Sequence, residues 1–150
     1  MLKRLSEPTS ANHQITFDKF LKHINQVAHT GSLVYLISDF MDIHSIFQDE
    51  GKLSFLTKKC DVVFIAVNDQ ADRSLCPIGV MGFCSSSNEN LFINTDSVAG
   101  RNAYAQQWHE NRHKLYALTK KFRIPLIELT TESEIPRELA LGMKLLGKRR

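Results

Sequence analysis

At 150 residues the chain has the length of one domain and can bury a core of its own. Hydrophobic residues at 43% and charged residues at 23% are ordinary for a globular protein, and a net charge of +3 is too small to single out nucleic acid as a partner. The longest apolar runs, such as 62–67, fall far short of the ~20 residues needed to cross a bilayer, and Met1-Leu2-Lys3-Arg4 leads into no apolar signal segment. These features predict a cytoplasmic protein without nucleic-acid or membrane partners.

Residues 1–14, with Pro8, Thr9, Ser10 and Asn12 and no periodicity, read as a flexible N-terminal arm. Phe17, Phe20, Leu21, Ile24, Val27 and Ala28 then recur at helical spacing, and Gly31 ends that helix. Leu33-Val-Tyr-Leu-Ile37 is an apolar, β-branched run that breaks into Ser38, Asp39 and Asp42, as a buried parallel strand does at its carboxyl end. A shorter helical region covers roughly 43–58, with an interruption expected near Gly51. Asp61-Val-Val-Phe-Ile-Ala-Val-Asn68 repeats the pattern of the first strand and runs into Asp69 and Asp72.

Pro77 and Gly79 punctuate the middle of the chain. Val80–Cys84 and Leu91–Asn94 flank Ser85–Asn90 and predict a β-hairpin. The longest helix runs from about Gly100 to Phe122, with Tyr104, Trp108, Leu115, Leu118 and Phe122 on one face. Ile124–Leu129 is a third core strand. Ser133, with Pro136 in the opening turn, starts a last helix carrying Leu139, Leu141, Met143, Leu145 and Leu146. Gly147-Lys-Arg-Arg150 reads as a frayed tail. Right-handed crossovers between these strands give an α/β fold with a mainly parallel sheet of three core strands, a β-hairpin, and helices on both faces.

Cys60, Cys76 and Cys84 are odd in number and widely spaced, so reduced thiols are expected rather than disulfides or a zinc knuckle. Asp39 with Asp42, and Asp69 with Asp72, form Asp-x-x-Asp pairs at the ends of neighbouring strands. Such carboxylates can gather Mg²⁺ for a hydrolase or nuclease, with Asp39, Asp42 and Asp69 the candidates. The simpler reading is that they cap the helices that follow. His109-Glu110-Asn-Arg-His113 matches the zinc-peptidase pattern, but no third ligand follows at a recognised spacing and Arg112 sits inside the motif. With Trp108 and Leu115 inward, both histidines fall on the polar face of the helix. Trp108 reads as a core anchor, and Ser85–Asn90 as an ordinary hairpin tip.

Gly31–Asp42, Asp61–Asp69, Asp69–Gly79 and Arg101-Asn-Ala-Tyr104 follow one another at distances that resemble the C-terminal half of the bacterial domain-of-unknown-function fifty-eight family. The resemblance covers roughly residues 15–146. It implies a von Willebrand factor A-like, Rossmann-like three-layer sandwich over residues 15–150 and association with a MoxR-type AAA ATPase. It also implies where a divalent cation would sit: Asp39 stands for the third-loop Asp, with Ser38 beside it, and Thr16 for the second-loop Thr. The Asp-x-Ser-x-Ser motif of the first loop is absent; Asp72-Arg-Ser-Leu-Cys76 comes nearest and follows the wrong strand. The resemblance therefore implies a truncated domain, a remnant of a longer protein or part of a split one. Its metal-ion-dependent adhesion site is incomplete, with weak Mg²⁺ at most and no firm cofactor.

The upstream strand implied by the resemblance would flank Leu33, Val34, Tyr35, Leu36 and Ile37. Without it, that strand exposes a backbone edge that invites pairing. The expectation is a non-enzymatic interaction domain that forms a homodimer or accepts a strand from a partner.

Overall fold

The computed structural model describes residues 17–41, 43, 50–84 and 90–147. Thr16, Asp42, the arm at 1–14, the stretch 44–49, the hairpin tip at 85–89 and residues 148–150 lie outside the described residues. In chain order the elements are α1 (Phe17–Val27), β1 (Leu33–Ser38), α2 (Glu50–Lys59), β2 (Asp61–Asn68), α3 (Gln70–Arg73), β3 (Val80–Cys84), β4 (Asn90–Asn94), α4 (Val98–Phe122), β5 (Leu126–Thr130) and α5 (Ile135–Gly147).

β2 lies in the middle of a parallel sheet of order β1-β2-β5, and β3 and β4 form a separate antiparallel pair. In register, Leu33 lies beside Asp61 and Ile37 beside Ile65; across the other side, Phe64 lies beside Leu126 and Asn68 beside Thr130. The continuous apolar sequence of β2 follows from this central place, because both of its faces are covered. Val62, Phe64 and Ala66 face a core built with Leu21 of α1, Leu53 and Leu56 of α2, and Leu115 and Leu118 of α4. Val63 and Ile65 face the other way and meet Ile127, Leu129 and, from α5, Leu139. The fold is thus the expected α/β arrangement, with helices on both faces of the sheet.

β1 differs from β2 because only one of its faces is covered. Val34 and Leu36 turn toward the α1–α2–α4 side and join that core. Leu33, Tyr35 and Ile37 turn to the α5 side and stay exposed. Before β1, Gly31 at φ 83° turns the chain so that its N–H donates to Lys59 O at 2.8 Å, fixing the strand against the end of α2.

Several boundaries differ from the sequence expectation. α2 begins at Glu50 with Gly51 in its first turn, and the stretch before it, where the interruption is expected, lies outside the described residues. The last strand begins at Leu126 rather than Ile124: Ile124 N–H still donates to Thr119 O at 2.8 Å, and Pro125 has no N–H. α5 begins at Ile135, and Ser133 does not cap it. The Ser133 hydroxyl accepts from Thr130 N–H at 2.9 Å instead.

Candidate functional site

Parallel strands share their carboxyl edge, where open α/β sheets bind ligands. Here that rim carries Ser38-Asp39 after β1, Asn68-Asp69 after β2 and Thr130-Thr131 after β5. Asp39 is exposed, and its Oδ1 accepts from Met41 N–H at 3.1 Å and from the Ser38 hydroxyl at 3.3 Å. Ser38 Oγ in turn accepts from Phe40 N–H at 3.1 Å. These bonds wrap a turn in which Phe40 takes the left-handed conformation, φ 54°, uncommon for a bulky residue. The buried Phe40 ring holds it there by stacking on Phe64 at 4.8 Å.

Asp69 is the N-cap of α3. It accepts from Ala71 N–H at 2.8 Å, while Asp72 returns the bond by accepting from Asp69 N–H at 2.8 Å. The Thr131 hydroxyl donates to the other Asp69 oxygen at 2.8 Å, tying the end of β5 to the end of β2. The Ala71 amide and then the Thr131 hydroxyl hold the Asp69 carboxyl below its usual range. A depressed folded-state pKa contributes stability above the unfolded value and loses it as pH falls through the folded one. Asp69→Ala is therefore expected to lower the urea midpoint at pH 7 and to leave it nearly unchanged at pH 2. Equal losses at both pH values would show that the carboxylate charge is not what the cap uses.

Behind the rim lies Arg112, 5% exposed although it is charged. It donates through Nη2 to the buried Asn68 Oδ1, and its Nη1 lies 3.7 Å from Glu128 Oε1. Glu128 also accepts from the Tyr116 hydroxyl at 2.8 Å. Burial, and then this bond, raise the Tyr116 pKa. The guanidinium stacks on Trp108 at 5.0 Å, and Arg73 covers the same ring at 5.2 Å. The helix turn 108–112 thus ties the ends of β2 and β5 together. Trp108 Nε1, Asn111 Oδ1 and Arg112 Nη1 are buried and have no hydrogen-bond partner among the described residues.

The other feature is the outer edge of β1, which no strand pairs among the described residues. Asp61 N–H donates to Ser32 O at 2.9 Å, and in a parallel ladder this fixes the alternation. Val34 and Leu36 direct their backbone groups to β2, whereas Leu33, Tyr35 and Ile37 direct theirs outward. The outward residues are also those with exposed side chains: Leu33 is 52% and Ile37 66% exposed. Of the five residues expected at this edge, three present both backbone and side chain, and Leu36 is buried in the core. Tyr35 reaches across to α5, its hydroxyl donating to Met143 Sδ at 3.4 Å.

His109 and His113 are both exposed, on the polar face as their spacing predicts, and Glu110 accepts from Gln106 at 3.0 Å. Among the described residues no group of three His, Cys, Asp or Glu side chains comes together to hold a metal ion, and no helix is long and apolar enough to cross a membrane. Cys60 is a buried free thiol and Cys76 an exposed one. Sequence reasoning missed Asn68, Asn111 and Arg112. The signal was present, since Arg112 lies four residues after Trp108 and three before Leu115, on the inward face of α4.

These features define an open parallel α/β domain with a polar carboxyl rim, a buried arginine behind it and, among the described residues, a strand at its edge with no outer neighbour. The chain belongs to the family described as Protein of unknown function DUF58, whose model matches residues 1–114. That stretch takes in β1, β2, the hairpin and the Trp108–Arg112 turn, and it ends inside α4, before β5 and α5. It begins and stops earlier than the 15–146 range over which the motifs resemble the family. No curated protein and no solved structure matches the chain.

Proposed function

We propose that this DUF58 chain is a von Willebrand A-like protein-interaction domain rather than an enzyme, and that it assembles with a second copy through the outer edge of β1. The observation that carries this reading is the coincidence at Leu33, Tyr35 and Ile37 of outward backbone groups with exposed apolar side chains. Edge strands are commonly guarded by a lysine, a proline or a bulge. β1 has no charged residue and no proline. Its edge is self-complementary: antiparallel pairing about Tyr35 sets Leu33 of one copy opposite Ile37 of the other, with no like charges facing each other. Met143 of α5 extends the exposed apolar surface beside it.

The rim supports a non-enzymatic role. Ser38 and Asp39 serve the turn after β1, and Asp69 and Asp72 cap α3, so the carboxylates are committed to local structure. A cation at Asp39 and Ser38 would draw on two donors already in use, whereas Mg²⁺ asks for six oxygens. In this reading the dimer is the form that meets a MoxR-type AAA ATPase, the partner the family resemblance implies.

Light scattering after size exclusion at micromolar concentration is expected to give about twice the 17.1 kDa chain mass, and Ile37→Lys to return it to the single-chain mass. In the dimer the amides of Leu33, Tyr35 and Ile37 should resist hydrogen exchange as those of Val34 and Leu36 do. A monomer at these concentrations, or a dimer whose outward amides exchange freely, sinks the proposal.

A further inference from the structure

β5 is the opposite edge of the sheet. Phe64 N–H donates to Pro125 O at 2.9 Å and Thr131 N–H to Asn68 O at 3.1 Å. The alternation of a parallel ladder therefore points Leu126, Glu128 and Thr130 outward. Ser133 closes one end, accepting from Thr130 N–H at 2.9 Å and donating its own N–H to Thr130 O at 3.0 Å. Leu126 and Glu128 are left with N–H and C=O groups unpaired among the described residues.

These groups lie at the floor of a groove of about 810 Å³, within the range of sites that hold real ligands. Tyr116 and Lys120 of α4, with Arg123 at its C-cap, form one wall, and Gly142 of α5 the other. A second recess of about 640 Å³ shares Leu126, Glu128 and Gly142 and adds Leu141 and Lys144. Gly142 makes this shape: a Cβ there would stand 2.7 Å from Ile127 side-chain carbons, so only glycine lets α5 lie this close to β5.

The charge of the groove selects an occupant. Lys120, Arg123 and Lys144 have no ion-pair partner among the described residues, whereas Glu128 is bonded to Tyr116 and paired with Arg112. Glu138 is the remaining acid of the lining. Basic residues favour helix C-termini, but that preference does not account for Lys120 and Arg123 lining a groove over a strand edge unpaired among the described residues, with Lys144 in the recess beside it. A second copy is disfavoured, because pairing β5 with β5 would set these cations against each other.

We propose that the outer edge of β5 takes an extended acidic peptide segment, added to the sheet as a further strand between α4 and α5. Alternation along such a strand turns its acidic side chains to Lys120 and Arg123 on the α4 side and its apolar ones to Leu141 on the α5 side. This edge is opposite the one assigned to the second copy, so the two proposals stand or fall separately.

The test is a titration of the ¹⁵N-labelled full chain with an acetylated octapeptide of alternating glutamate and valine, followed by amide shifts. Saturable shifts at Leu126 and Glu128 are expected, in the sub-millimolar range, unchanged in Ile37→Lys. The double variant Lys120→Glu, Arg123→Glu should weaken binding about tenfold. A lysine–valine octapeptide, and the glutamate–valine peptide N-methylated at alternate residues, should not bind. The proposal is overturned by an absence of shifts at millimolar peptide, by shifts at Leu33–Ile37 instead, or by equal binding of the N-methylated peptide.

Discussion

Replacing Arg112 by alanine is expected to lower the stability of the domain by about 3 kcal/mol. The largest part comes from Asn68, whose Oδ1 is buried and takes its bond from Arg112. Stranding a buried acceptor costs about 1–3 kcal/mol. The remainder is packing, because the guanidinium lies on Trp108 and its removal opens space beside a side chain that is itself 9% exposed. Glu128 also loses a partner, but at 42% side-chain exposure it is rehydrated cheaply. Arg112→Met keeps the contact with Trp108 and removes only the charge and the bond, so more than half of the loss should remain. Urea unfolding at a constant slope separates the two variants. A loss below about 1 kcal/mol in Arg112→Ala would show that Asn68 finds another donor and that the turn 108–112 does not hold the rim together.

Leu36→Ala and Ile37→Ala should differ more than any other neighbouring pair in β1. Leu36 is 1% exposed and belongs to the main core, whereas Ile37 is 66% exposed on the opposite face. Truncating the buried leucine is expected to cost about 2–5 kcal/mol through lost burial and the cavity left behind. The isoleucine change should cost about 0.5 kcal/mol or less in the monomer and should weaken the dimer instead. The comparison tests register directly, because a slip of one residue would exchange the two outcomes. Similar costs in dilute protein, where only the monomer is present, would place β1 differently against β2.

The elements that were legible in the sequence are those whose physics is local. Val62–Val67 announces a strand covered on both faces. The spacing of Phe17 through Ala28 predicts α1, which ends within a residue of that pattern. What was not legible depends on contacts between distant residues. Arg112 meets Asn68 across 44 positions, and no spacing rule joins them. The His-Glu-x-x-His pattern drew attention to the two histidines, which face solvent. The two residues the pattern leaves open, Asn111 and Arg112, are the ones the fold buries. The reading of Asp69 and Asp72 as helix caps holds, but the reciprocal form of the cap emerges only once α3 is seen to begin at Gln70. The edge residues were visible as a run of five; the ladder alternation divides them into those that can pair outward and those already spent. The groove at β5 had no sequence signal, because it depends on how closely Gly142 lets α5 approach.

The two partners of β2 are reached by routes of unequal length. β1 precedes it through α2, but β5 arrives only after residues 69–125 have been made. At synthesis rates of ~5–20 residues per second, that interval is roughly 3–12 seconds. Throughout it, Val62–Val67 is complete, wholly apolar and unpaired on the side where Leu126–Thr130 will dock. Long-range parallel pairing is slow to form and exposed to aggregation while it waits. The sheet therefore closes on this side only after Leu126–Thr130 has been made.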